Sequence, residues 1–179
     1  MRVALSTAIA LTGLSGRTLR RWIADGTLPR CEGARAEVDL DSLTPHMRLT
    51  LDDDSRAVIG AADRGDAGGQ NDLAMLFLTA HQHGRAAAWL ERAAGHGHAD
   101  AMHWLARCYL DGRGETLDIP LGVMWLAKSA AQGHRISAMQ LTSLVRAPLQ
   151  KPGHATPEDV ALDHACDETD MAQSVQSAR

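Results

Sequence analysis

The chain has 179 residues, 45% apolar and 22% charged, a formal net charge of −4, and only four Trp, one Tyr and one Phe. These figures exclude a uniformly basic nucleic-acid coat, an acidic disordered chain and a single-strand binder that stacks bases on aromatic platforms. Abundant Ala and Leu, with few Val, Ile, Tyr or Phe, favour helices in close contact over a β-sandwich, in one or two small domains.

The charge is unevenly placed. Residues 1–50 hold seven Arg against five acids, whereas residues 51–179 hold eleven Lys and Arg against seventeen acids. Arg2, Arg17, Arg20, Arg21, Arg30 and Arg35 face only Asp25 and Glu32 in the first 35 residues, which predicts a head that meets a polyanion. Cys31, Cys108 and Cys166 share no CxxC spacing, so the pattern points to a reducing compartment, and Cys108 reads as a small core residue. The run Val3–Leu11 imitates a short signal segment. No small-x-small triplet follows it, and Arg17, Arg20 and Arg21 come next, so it reads as a helix. No other run approaches the ~20 apolar residues of a membrane span. The expectation is a cytoplasmic protein with no membrane partner.

In chain order, Ser6 is expected to cap a helix through about Thr12, and Gly13 to break it. Ser15 should cap a second helix over Gly16–Asp25, closed by Gly26 and stopped by Pro29. Leu19, Trp22 and Ile23 recur three and four apart and face inward, leaving Arg17, Thr18, Arg20 and Arg21 on the other faces. Two helices with a glycine turn, the second rich in Arg near its start, match the layout that sets a recognition helix in a major groove.

The stretch Ile9–Trp22, followed by Gly26-Thr27-Leu28-Pro29, resembles the MerR-type and excisionase-type winged helix-turn-helix. The resemblance implies a wing over Arg30–Leu40 with Gly33 at its tip, and a short closing helix from Asp41. It also implies DNA contacts by Arg17, Thr18, Arg20, Arg21 and Arg35. No sustained heptad follows Leu43, unlike the long dimer coil of MerR regulators. A homodimer, if one forms, must be built by the rest of the chain or on DNA.

The body repeats. Trp89–His98 aligns with Trp125–His134 at an offset of 36, which also carries Ala101 onto Ser137 and Leu105 onto Leu141. A further copy lies upstream with a loop four residues shorter, where Gly65, Gly69, Leu73, Ala74 and Phe77 stand for Gly97, Ala101, Leu105, Ala106 and Tyr109. Each unit reads as two antiparallel helices with a turn glycine between units. Asp118 is expected to cap a helix with Pro120 in its first turn.

This pattern resembles the Sel-one-like repeat, a relative of the tetratricopeptide repeat. Ala101, Leu105, Ala106, Tyr109, Gly112, Gly114, Asp118, Trp125, Lys128, Ala130 and Gly133 fall on signature positions. Glu115 and Gly122 depart from them, and the first copy lacks the GxG loop. The resemblance implies a mostly α chain: a short α-solenoid of about 2.5 to 3 units over 55–147, preceded by a small winged helix-turn-helix domain at 1–50. Residues 148–179 are expected to form a linker, a closing helix from Thr156 and a frayed tail. Such repeats imply protein partners. Trp104 stands where the sister units have Asp72 and Gln140, and with His103 and Arg107 it marks either a partner-binding patch or packing against the neighbouring domain or tail.

Five of nine histidines lie between His81 and His103, but His98 and His134 are repeat-equivalent, so a turn role explains them more simply than a metal. No nucleophile elbow, Walker loop, dinucleotide fingerprint or HExxH is present. The whole reads as a non-enzymatic regulator without a cofactor, its head on double-stranded DNA and its repeats on a protein. The alternative is an adaptor that uses the same arginines on an acidic protein surface.

Overall fold

A computed structural model describes residues 1–29, 37–47 and 49–146. Among the described residues are nine α-helices, one 3₁₀ turn and a two-stranded antiparallel sheet, so the chain is mostly helical. Met1–Leu144 is one compact unit. Arg30, Gly33 and Arg35 of the expected wing lie outside the described residues, as does the expected linker and closing helix at 148–179.

The head begins with β1 (Arg2–Ala4), α1 (Leu5–Thr12) and α2 (Gly16–Ala24). It continues with β2 (Glu37–Asp39), α3 (Leu40–Leu43) and a 3₁₀ turn at Thr44–His46. β1 and β2 pair with Val3 opposite Val38, both buried, while their strand neighbours are not. Leu11, Leu19, Leu40 and Leu43 are fully buried and complete the core of this region.

Ser6 does not cap α1. Pairing with β2 holds Arg2–Ala4 extended, and the helix starts where that pairing ends, so Ala4 takes the cap position and Ser6 falls inside the first turn. Gly13 closes α1 at φ 70, its N–H bonded to Ile9 O at 2.8 Å. Ser15 caps α2 as expected, its hydroxyl accepting from Thr18 N at 3.1 Å.

Six more helices follow: α4 (Asp53–Asp63), α5 (Ala67–Thr79), α6 (His83–Gly95), α7 (Ala99–Asp111), α8 (Ile119–Ala131) and α9 (Arg135–Arg146). From α4 to α8 each packs on the next. The turn glycines Gly65, Gly97 and Gly133 adopt φ of 86, 87 and 90, a region other residues rarely enter. Each is followed by an N-cap. Asp66 accepts from Gly69 N at 2.7 Å, His98 Nδ1 from Ala101 N at 3.3 Å, and His134 Nδ1 from Ser137 N at 3.1 Å. The turn role expected of His98 and His134 is thus helix capping.

Gly69, Ala101 and Ser137, equivalent in the three units, are all buried. Gly69 must be glycine, because a Cβ there would meet Ala61 side chain and backbone. Phe77, Leu73, Leu105, Leu90 and Leu126 fill the layers between helices at 0% exposure. Asp118 caps α8 by accepting from Leu121 N at 2.9 Å, with Pro120 in the first turn as expected.

The change of charge sign at Asp52–Asp54 predicts a boundary. That stretch holds the start of α4, where Asp52 and Ser55 form a reciprocal capping box. Polar ties cross it. Ala4 N donates to Asp63 Oδ1 at 3.0 Å, Arg56 Nη2 to Asp41 Oδ1 at 2.6 Å, and Arg85 to Leu11 O and Thr12 O at 3.1 and 2.6 Å. Head and repeats are packed together.

Candidate functional site

The head presents the first surface. In α2 the buried Leu19 and the half-buried Trp22 and Ile23 turn toward the core, and Trp22 packs on His46 with ring centroids 4.6 Å apart. Arg17, Arg20 and Arg21 are exposed. With 3.6 residues per turn they share an arc of roughly 100° opposite Leu19. Thr18 differs: its hydroxyl is 2.9 Å from Ser15 Oγ, drawn into the cap of its own helix. Arg21 also faces Asp25, whose carboxyl is held below the usual carboxylate range chiefly by hydrogen bonds from Thr27.

The second surface lies on α7. Trp104 is 7% exposed and His103 1%, while Arg107 is half-buried and lies 3.5 Å from Asp111. The three share one helix, yet only Arg107 reaches solvent to any extent. The Trp104 ring meets His103 edge-on, centroids 5.5 Å apart.

His103 belongs to a polar junction where α7, α8 and α9 meet. Its ring stacks on His134 at 4.5 Å, and its Nδ1 lies 2.9 Å from Ser137 Oγ. Ser137 Oγ is also 2.9 Å from His134 Nδ1 and 2.8 Å from Ser129 Oγ, which donates to Ala99 O. His134 Nε2 approaches Asp100 Oδ1 at 3.4 Å. An Asp–His–Ser chain invites comparison with hydrolases, but Ser137 is 0% exposed and presents no nucleophile to solvent. Nothing in the repeat spacing singles out this junction. The only sequence signal was the alignment of His134 with His98.

Burial pushes the His103 imidazole from 6.5 down to about 3, helped by neighbouring His134 and Arg107. Above about pH 3 the ring is therefore neutral in the folded chain, and below about pH 6.5 it takes up a proton on unfolding. Its contribution is complete above about pH 6.5 and declines as the pH falls toward 3, by up to about 1.4 kcal/mol per pH unit. Urea denaturation between about pH 6 and pH 4 should show falling stability, with a shallower slope in His103→Gln. Equal slopes would remove His103 from the explanation.

Other histidines among the described residues make local contacts. His96 Nδ1 is 3.2 Å from Gln70 Oε1, and His81 meets His83 edge-on at 6.2 Å. Among the described residues no three His, Cys, Asp or Glu side chains are grouped to hold a metal, and no helix is long and apolar enough to cross a membrane. Cys108 is buried, its thiol pushed up to about 12 by desolvation, as suits a core residue.

Comparison with protein families places two Sel1 repeats at residues 68–98 and 99–134, which coincide with the α5–α6 and α7–α8 pairs. No curated protein and no solved structure matches the chain.

Proposed function

We propose that the chain is a non-enzymatic regulator of the cytoplasm that binds a protein partner through its repeats and double-stranded DNA through its head. The Sel1 repeats carry the first half, because stacked helix pairs of this kind present extended surfaces to other proteins. Arg107 on α7, which lies beside the buried His103 and Trp104, is the proposed contact. The DNA half rests on the exposed Arg17, Arg20 and Arg21 along one arc of α2, behind a glycine-broken turn. Thr18 supports them by bonding to the Ser15 cap of the helix, and Arg35 is proposed to reach the phosphate backbone.

Arg20→Ala combined with Arg21→Ala should weaken duplex binding, leave helical content intact and flatten the log–log salt dependence by about two. Equal affinity and equal slope in both proteins would remove α2 as the contact. A single small module touches few base pairs, so a monomer should bind weakly and a homodimer more tightly. The Sel1 match by itself favours the adaptor as second reading: no duplex binding at low salt would assign the arginines to an acidic protein surface.

A further inference from the structure

We infer that Arg85, a residue of the repeat region, is a positioning residue for the α2 surface of the head. This rests on the proposed duplex contact by α2. Arg85 sits at the start of α6, yet its guanidinium reaches back 73 and 74 residues to Thr12 O at 2.6 Å and Leu11 O at 3.1 Å. Those carbonyls belong to the last turn of α1, where they lack partners within the helix and carry the negative end of its dipole. A planar fork that bonds two carbonyls at once fixes both position and orientation, which a point charge would not.

The fork is itself held. Nη1 also donates to Gln82 Oε1 at 2.6 Å, and the guanidinium carbon lies 5.9 Å from the centre of the Phe77 ring. Gly13 is matched to it: a Cβ there would come within 3.0 Å of Arg85 Nη2, on a backbone already at φ 70. Gly13 leads through Leu14 into Ser15, the cap of α2. The direction in which the three exposed arginines point is thus set at the joint that Arg85 grips. A repeat-region side chain selects the arrangement of the head that is competent for DNA, and losing it lowers the population of that arrangement.

The test uses the full chain with Arg85→Ala, measuring duplex affinity across salt and, without DNA, amide hydrogen exchange. Affinity should fall about tenfold at unchanged salt slope, because the phosphate contacts in the bound state stay the same. Exchange should quicken at Gly13, Leu14 and Leu19 and stay unchanged at Leu105 and Leu126. A slope lower by about one would make Arg85 a phosphate contact and overturn the positioning role. Unchanged affinity and exchange would overturn it too, as would faster exchange spread through α7 and α8, the mark of a merely structural residue. If the wild-type chain binds no duplex, the DNA proposal fails, and exchange alone decides whether Arg85 fixes the joint. Should Arg85→Ala not fold, Arg85→Lys, which keeps the charge and loses the fork, gives the same readouts at smaller amplitude.

Discussion

Gly114→Ala should destabilise the chain by about 2–5 kcal/mol, although it adds a single methyl group. Gly114 has φ 82, where any side chain crowds its own backbone. A Cβ would also collide with the His83 carbonyl and come within 2.7 Å of Gly84 N. These are backbone atoms at the start of α6, so no rotamer change relieves the contact, and the α7–α8 loop must lift off the preceding unit. Gly95→Ala is the control. Gly95 ends α6 with nothing within 4 Å of an added methyl, so this change should stabilise by about 0.5–1 kcal/mol. Urea midpoints that rank the two variants the other way would refute the close approach at Gly114.

Trp89→Ala should cost about 3–5 kcal/mol. The ring is 1% exposed on α6, which packs on α5 and α7, and the Arg92 guanidinium lies over its face at 4.4 Å. Its repeat-equivalent Trp125 carries Lys128 at the same 4.4 Å but is only half-buried, so Trp125→Ala should cost less, about 1–3 kcal/mol. Trp104 tests a different inference. Polar Asp72 and Gln140 in the sister units suggest a position that tolerates truncation, yet Trp104 is 7% exposed. Trp104→Ala should therefore cost nearly as much as Trp89→Ala. Urea denaturation of the three variants gives the order directly, and a mild Trp104→Ala would restore it as a surface side chain.

The contrast between these tryptophans marks what the sequence could disclose. Helix pairs, turn glycines, the Asp118 cap and the Trp89 core follow from spacing, because they repeat and depend on neighbours within one turn. The burial of Trp104 depends on what covers it in space, which its aligned siblings do not encode. The same holds for Arg85, Asp63 and Arg56, whose partners lie 15 to 74 residues away in the chain. Ser6 failed as a cap because strand pairing with residues 37–39 fixed the start of α1 first. The His98 and His134 caps were within reach: each directly follows a turn glycine at the position where the first unit has Asp66, a far commoner cap.

The proposed contact between the basic head and duplex DNA is measured by a fluorescence-anisotropy titration of the intact chain, begun at low salt and repeated as salt is raised. The expected result is saturable binding whose logarithm falls in a straight line with the logarithm of salt, as phosphate-bound counterions are displaced. No binding at the lowest salt, where phosphate contacts are strongest, would contradict it.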